Sequence, residues 1–136
     1  MILLSFDIEE FDVPREHGVE YSLEEGMEVS VEGTNIILDV LERNDVRATL
    51  FCTANFAMNA PETMRRILIE GHEVASHGVD HFNPKETDFA KSKEILEKIT
   101  NTKIMGYRQP RMFPVKDSEI LRVGYAYNSS LNPAYD

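Results

Sequence analysis

The residues best suited to chemistry in this chain are two histidines and two carboxylates, each pair closely spaced. His77 and His81 lie four residues apart, so one helical turn can direct both imidazoles at the same spot. Asp7 and Glu9 end the first apolar run and can point at a second spot. Together these side chains offer two imidazole ligands, one anionic oxygen ligand and one spare base. Such a set can hold a divalent metal ion and activate a water molecule on it.

The two carboxylates need a partner of opposite charge. Asp7 and Glu9 are separated by one residue, and two carboxylates this close repel each other unless a cation neutralises one of them. A metal on Glu9 would leave Asp7 ionised and near a bound water. The alternative is that both carboxylates accept hydrogen bonds from backbone N–H groups of a turn, and that the two histidines are ordinary surface residues.

Three further residues carry chemically active groups that also fit ordinary structural roles. Arg108 follows an apolar segment, and its guanidinium can orient Asp7 and keep it anionic, or it can be a surface cation in a turn. His72 and Glu73 do not complete the H-E-x-x-H zinc motif, because the next histidine is one residue too far. We therefore expect His72 to be structural. Cys52 has no partner motif of a nucleophile and fits a small core residue.

The elements that must position these residues alternate along the chain. Apolar runs predict five short strands, and helical periodicity and cap residues predict four helices. Strands separated by helices imply right-handed crossovers and a parallel sheet, open or closed. The predicted strands are residues 1–6, 48–52, 72–76, 103–107 and 125–127, and the predicted helices are residues 31–43, 61–70, 88–100 and 117–123.

Helix faces and caps were also predicted. Ser30 is the expected N-cap of the first helix, and Gly71 the expected C-cap of the second. The residues expected to face the core are Ile36, Ile37, Val40 and Leu41 in the first helix and Phe89, Ile95, Leu96 and Ile99 in the third.

One connection is unusually long and acidic. Residues 10–29 follow the first strand and contain seven acidic residues before the next predicted helix, whereas most such loops have about 2–6 residues. This segment is either a solvated acidic loop or a substrate-binding loop, since sites of α/β proteins lie at the carboxyl ends of their strands.

Length and charge limit the classes of protein and partner. The 136 residues predict one domain over residues 1–136 with a real core. The net charge of −10 argues against nucleic acid or an anionic membrane as partner and favours a neutral or cationic substrate. The single cysteine rules out an intrachain disulfide. No apolar run approaches the about 20 residues of a membrane span. No leader is visible, so we expect a cytoplasmic protein, although a removed leader would leave the same sequence.

The motifs of the chain resemble those of the polysaccharide deacetylases with NodB homology, carbohydrate esterase family four. The family's T-F-D-D-G-like segment is similar to SFDIE at residues 5–9, in a variant with one residue between the acids. The other matches follow in order over nearly the whole chain: ATLF at residues 48–51, GHEVASH at 71–77 with His81, GYRQP at 106–110, and GYAYNSS at 124–130.

The resemblance implies roles for individual residues. Asp7 would be the catalytic base, Arg108 would position that base, and Glu9, His77 and His81 would be the metal ligands. The metal would be Zn²⁺, with Co²⁺, Ni²⁺ or Mn²⁺ as alternatives. The implied reaction is hydrolysis of a carbon–nitrogen bond that removes N-acetyl groups from a polysaccharide or amino sugar. Three residues depart from the family pattern, namely Glu9 for the adjacent aspartate, Gly78 for Ser or Thr, and Asn128 for Asp.

The resemblance also implies a fold. The family has a distorted seven-stranded (β/α) barrel, and each βα unit takes roughly 30 residues, so this chain would form an incomplete barrel of about five units, truncated on its C-terminal side. The family's general acid, a histidine in a late L-x-L-H-like motif, has no counterpart here. We expect weak activity and an apolar surface near the last strand, with apolar side chains on both of its faces, covered by missing sequence or by a second copy of the chain.

Three other functions stay open at this point. The spaced acids also occur in a branch of the family with allantoinase-like hydrolases of cyclic amides or imides. Two histidines and one carboxylate form the triad of non-haem iron oxygenases, a class that offers no role for Asp7 and Arg108. The chain can also be a non-catalytic metal-binding or interaction domain.

Overall fold

A computed structural model describes residues 1–131 of the chain. Within these residues there are five strands with one or two helices between successive strands, six helices in all, and a 3-10 turn, Pro110–Met112, follows the fourth strand. The strands are β1 (Ser5–Ile8), β2 (Thr49–Cys52), β3 (Glu73–Ser76), β4 (Gly106–Tyr107) and β5 (Tyr127–Asn128). The helices are α1 (Val13–Glu16), α2 (Leu23–Arg43), α3 (Ala54–Asn59), α4 (Pro61–Ile69), α5 (Asp88–Thr100) and α6 (Asp117–Val123).

All the strands form one parallel sheet in the order β1-β2-β3-β4-β5. Asp7 pairs with Phe51, Phe51 pairs with Ala75, and Ser76 pairs with Tyr107. The predicted α/β class with a parallel sheet is therefore confirmed. Within residues 1–131 the sheet is open, since β1 and β5 each pair on one side only. Because all these strands run in the same direction, the residues that follow their carboxyl ends lie together at one end of the sheet.

The core lies between one face of the sheet and the helices. Alternate strand residues enter it, because successive side chains of a strand point to opposite faces. The largest contributors are fully or nearly fully buried and come from both layers: Ile8, Leu50, Cys52, Val74 and Tyr107 from the strands, and Leu38, Leu41, Phe56, Met64, Ile67 and Leu96 from the helices. Asp7 lies one residue before Ile8 in β1, so the alternation turns Asp7 to the other face.

The predicted acidic loop is wrong over most of its length. Helix α2 begins at Leu23, eight residues before the predicted start, and α1 occupies part of the remaining segment. Ser22 caps α2 in a capping box, because its hydroxyl accepts from Glu25 N at 3.1 Å and Glu25 Oε2 accepts from Ser22 N at 2.8 Å. Ser30 is not a cap but lies inside α2, where its hydroxyl accepts from Phe11 N at 2.9 Å.

The other elements differ less from prediction. The bounds of α5 and α6 agree with the sequence, and Gly71 follows α4 with a φ of +80°. Strand β1 begins four residues later than predicted, and β4 and β5 have only two residues each. Helix α3 was not predicted; Thr53 caps it by accepting from Phe56 N at 3.1 Å.

Two predicted helix faces need correction. Ile36 and Val40 are 55% and 48% exposed, and the buried residues of that part of α2 are Thr34, Leu38 and Leu41. In α5, Ile99 is exposed, whereas Phe89 and Leu96 are buried as predicted. The true start of α2 adds two turns before the predicted helix, at residues 23–30.

The face of the sheet away from the helices carries an open groove of about 580 Å³. Leu3, Leu4 and Phe51 contribute apolar surface to it, and Tyr127 crosses it beside Gly106, where a Cβ would overlap the tyrosine ring. The Tyr127 hydroxyl donates to Glu73 Oε1 at 2.8 Å. The last strand therefore has apolar surface beside it, as expected, but its other residue, Asn128, is polar, so the prediction of two apolar faces is wrong.

No helix within residues 1–131 combines the length and the apolar character that crossing a bilayer requires.

Candidate metal centre

The candidate site lies where β1 and β3 end. Glu9 follows the last residue of β1, and His77 follows the last residue of β3. Strand β2 lies between β1 and β3. Its last residue holds the backbone at His77, because Cys52 O accepts from His77 N at 2.8 Å. The end of the sheet thus sets Glu9 and His77 side by side.

Three side chains converge on one point. Glu9 Oε2 lies 3.0 Å from His77 Nε2 and 3.3 Å from His81 Nε2. One ligand atom from each of the three residues lies within 4.8 Å of the other two. The two imidazole rings stack with centroids 5.6 Å apart. The structure therefore brings together the three residues that the sequence offered as metal ligands.

The polar atoms of this cluster fit a cation. Glu9 Oε2 is buried and has no hydrogen-bond partner among residues 1–131. A buried carboxylate oxygen without a partner is costly, and a metal ion would satisfy it. Two imidazole nitrogens and one carboxylate oxygen also form a ligand set that catalytic zinc sites use.

Both histidines turn the same nitrogen toward the cluster. His77 Nδ1 lies 2.8 Å from the carbonyl oxygen of Arg108, which can only accept, so Nδ1 carries the proton. His81 Nδ1 lies 2.9 Å from Asp12 Oδ2, and a carboxylate partner favours the same tautomer. Nε2 of each ring then keeps its lone pair for a metal ion.

The spacing of the two histidines works through a loop and not through a helical turn. Residues 77–87 contain no helix, and Gly78 has a φ of +75°, close to Pro110. The loop lies against the start of α3, where Ala54 N donates to Gly78 O at 2.9 Å and Asn55 N donates to Val79 O at 3.1 Å. The prediction of a shared helical turn is wrong, although the two imidazoles do converge on one point.

Asp7 lies beside the cluster and is held by Arg108. Arg108 Nη1 donates to Asp7 Oδ1 at 2.7 Å, and Asp7 Oδ2 is 4.0 Å from His77 Nε2. The guanidinium also donates to Ser5 Oγ at 3.0 Å and to Ser129 Oγ at 2.9 Å, and it stacks over Phe51 at 4.0 Å. Arg108 is therefore fixed by several contacts, and one oxygen of Asp7 stays free of it.

Sequence reasoning missed three charged residues around the site. Glu10 and Asp12 belong to the segment predicted as either a solvated or a substrate-binding loop, without a role of their own, yet they are only 4% and 3% exposed. Glu10 accepts from Thr53 Oγ1 at 2.7 Å and from His81 N at 3.2 Å. Asp12 contacts His81, and Arg111 lies 3.5 Å from Asp12. The sequence did contain a signal for Glu10 and Asp12, because acidic residues follow β1 directly, at the end of the sheet where the site was predicted.

The remaining candidates have structural positions. His72 begins the segment that leads into β3, at the opposite end of the strand from His77, and its Nδ1 accepts from Ala48 N at 3.2 Å. Cys52 is fully buried, and burial, with a smaller contribution from the charge of Asp7, raises the pKa of its thiol far above the usual range. A buried thiol that stays protonated is a poor nucleophile.

A cleft of about 280 Å³ borders the cluster on the side of α2. Its polar lining includes Asp7, Glu9 and His81, and its apolar lining includes Ile8 and Val29. A substrate group in this cleft would lie beside both the candidate ligands and Asp7.

Comparison with known proteins gives matches over most of the chain. Residues 2–123 match the family model described as polysaccharide deacetylase. The peptidoglycan-N-acetylglucosamine deacetylase of Listeria monocytogenes is 35% identical over 78 residues, which are 57% of this chain and 16% of that protein. The chain spans only 16% to 26% of the length of the first curated relatives that it matches.

Two solved structures have a similar fold. A candidate polysaccharide deacetylase of Mycobacterium smegmatis matches with a TM-score of 0.75 and 23% identity, over 95% of this chain and 50% of that one. An allantoinase matches with a TM-score of 0.71 and 19% identity, over 91% of this chain and 51% of that one. At these identities the likeness concerns the fold alone.

Proposed function

We propose a function from the premise that this chain belongs to the polysaccharide deacetylase family. The chain binds a divalent metal and hydrolyses carbon–nitrogen bonds, removing N-acetyl groups from an acetylated carbohydrate. The observation that carries the proposal is the convergence of Glu9, His77 and His81 next to Asp7, which Arg108 holds at 2.7 Å.

Glu9, His77 and His81 would hold the metal. The unpartnered Glu9 Oε2 and the two Nε2 lone pairs support this assignment. Zinc suits the ligand set best, with Co²⁺, Ni²⁺ or Mn²⁺ as alternatives. When bound, the metal supplies polarisation of the amide carbonyl and of a water molecule.

Asp7 would act as the general base. Its Oδ1 is engaged by Arg108, so Oδ2 is the oxygen that would receive the proton of the attacking water. Oδ2 lies 4.0 Å from His77 Nε2, close enough to meet a water molecule held between Asp7 and the ligands. Arg108 fixes the direction of the carboxylate through its contacts with Ser5 and Ser129.

The departing amine also needs a proton. Among residues 1–131, neither His17 nor His72 is hydrogen-bonded or ion-paired to Asp7, Glu9 or Arg108. Within residues 1–131, the histidines outside the ligand cluster are therefore not placed to act as the general acid. We expect slow turnover, because an amine is a poor leaving group unless it is protonated.

The proposed substrate is a chain that contains N-acetylated amino sugars. The family match, and the name of the Listeria relative at 35% identity, support this class. The net charge of −10 suits a neutral or partly deacetylated, cationic chain better than an anionic one.

Release of acetate from chitooligosaccharides and from peptidoglycan fragments tests the proposal. We expect release that depends on added metal and is abolished in Asp7→Asn, with metal affinity largely retained in that variant. Lost metal binding in Asp7→Asn would contradict its role as base.

Two results would replace the proposal with another function. Turnover of allantoin-like cyclic amides, with none on acetylated sugars, would favour the cyclic amide hydrolases. Metal binding with no hydrolysis of either substrate class would favour a non-catalytic domain.

A further inference from the structure

Asp12 is a buried carboxylate for which the proposed hydrolysis has no use. Its side chain is 4% exposed, and Oδ2 lies 2.9 Å from His81 Nδ1 and 3.5 Å from Arg111 Nη2. A carboxylate is seldom buried without paired partners, because its desolvation is costly. The two partners, His81 and Arg111, therefore indicate the role of Asp12.

Arg111 joins its own segment to two others, the α1 segment and the loop that holds His81. Its Nε donates to the carbonyl oxygen of His81 at 3.2 Å, and its Nη2 lies 2.5 Å from Glu16 Oε1 in α1. The same nitrogen reaches Asp12. Arg111 thus holds the backbone of His81, the carboxylate that contacts the His81 ring, and the end of α1.

The backbone of Arg111 is strained. Arg111 has a φ of +57° and the next residue, Met112, has a φ of +52°. Non-glycine residues adopt this region at a cost, and such strain persists only where the surroundings enforce it. The Arg111 side chain is held in place by its contacts with Asp12, Glu16 and the His81 carbonyl oxygen.

The two candidate histidine ligands are oriented by different kinds of partner. The Nδ1 partner of His77 is the backbone carbonyl of Arg108, which is present whatever side chain that residue carries. The Nδ1 partner of His81 is the side chain of Asp12. The orientation of His81 therefore depends on a side chain that a substitution can remove, whereas the orientation of His77 depends on the backbone.

We propose that Asp12 and Arg111 are positioning residues for the metal centre. Asp12 holds His81 with its proton on Nδ1, so that Nε2 faces Glu9, and Arg111 fixes both Asp12 and the His81 backbone. The role in metal binding rests on the proposed function. The effect on the tautomer of His81 does not, because it concerns the protein without metal.

Binding of Co²⁺ to the purified chain is the first measurement. Loss of an outer partner of a histidine ligand typically weakens metal affinity by about 10- to 100-fold, and we expect this for Asp12→Ala. Asp12→Asn keeps an oxygen that can accept from Nδ1, so it should recover most of the affinity. The visible absorption of bound Co²⁺ should change in the alanine variant and return in the asparagine variant. Arg111→Ala should give a smaller loss.

Asp80→Ala is the matched control. Asp80 lies next to His81 in the same loop, but its carboxylate accepts from Phe82 N at 2.8 Å and Asn83 N at 3.0 Å and is not hydrogen-bonded or ion-paired to the imidazole. General loosening of the loop would therefore weaken Co²⁺ binding in Asp80→Ala as well. An equal loss in the two alanine variants would overturn the proposal.

Nitrogen-15 NMR of the histidine rings in metal-free protein is the second measurement. We expect the Nδ1–H tautomer at His81 in the wild type, and a shift toward the other tautomer in Asp12→Ala. A wild-type His81 that carries its proton on Nε2 would overturn the proposal, even if the alanine variant fails to fold. If the wild type binds no Co²⁺, the proposed function fails, while the tautomer still decides whether Asp12 orients His81.

Discussion

Zinc should stabilise this chain by an amount that can be calculated. A ligand that binds only the folded state at 100 times its Kd adds about 2.7 kcal/mol to the free energy of unfolding. The unfolding entropy near Tm is about 2.1 cal/mol/K per residue, or about 0.29 kcal/mol/K for the 136 residues of this chain. Zinc at that concentration should therefore raise Tm by about 9 °C.

Glu9→Gln should remove most of this gain. The substitution keeps the volume of the side chain and removes the anionic ligand oxygen that lies 3.0 Å and 3.3 Å from the two imidazoles. A hundredfold weaker affinity would leave about 0.4 kcal/mol at the same zinc concentration, a shift in Tm of only about 1 °C. Without metal, the variant should unfold at the same temperature as the wild type or higher, because Glu9 Oε2 has no hydrogen-bond partner within the described residues.

Differential scanning calorimetry on protein stripped with a chelator, with and without zinc, measures both effects. His17→Gln is the control, since His17 is an exposed histidine that does not belong to the ligand cluster. The zinc shift should be unchanged in that variant. A shift as large in Glu9→Gln as in the wild type would refute the assignment of Glu9 as a ligand.

Three further predictions concern other residues. Arg108→Ala removes a hydrogen bond to a carboxylate worth about 1.5–3 kcal/mol, so kcat for acetate release should fall by about 10- to 150-fold; zinc affinity should hold, because the backbone carbonyl that contacts His77 remains, and a parallel loss of affinity would contradict the separation of roles. Cys52 is buried with a raised thiol pKa, so a thiol reagent should label it only in denaturant, and rapid labelling of native protein would count against its core position. A hydrogen bond from Lys93, followed by one from Ile104 N, lowers the pKa of Glu97 in the folded state. This contribution to stability is present above the ordinary pKa of glutamate and is lost as the pH falls through the lowered value. Tm should therefore fall less steeply with decreasing pH in Glu97→Gln than in the wild type. An equally steep fall in the two proteins would contradict this.

The sequence predicted the part of the site that follows from strand ends. Asp7, Glu9 and His77 come directly from the ends of apolar runs, and a parallel sheet must gather such ends at one edge. Arg108 was found in the same way after β4. No knowledge of the loops was needed for these residues.

The surroundings of the site could not be predicted in the same way. The burial of Asp12 depends on how residues 9–22 fold against the loop that holds His81, and no short-range pattern encodes that contact. The start of α2 is a different case, because the S-x-x-E signal at Ser22 and Glu25 was present in the sequence. Glu25 belongs both to the run of acidic residues and to the capping box, so the acidic composition alone does not distinguish a loop from a helix start.

The strand order has a consequence for how the molecule folds. Among residues 1–131 each strand pairs with the next strand along the chain, so this part of the sheet can grow one unit at a time from the N-terminus. Glu9 and the segment that carries His77 and His81 come to the same end of the sheet once β1, β2 and β3 have paired. Arg108, whose carbonyl orients His77 and whose side chain holds Asp7, joins only with β4. A nascent chain would thus bring its three candidate ligands to one end of the sheet before Arg108 contacts His77 and Asp7.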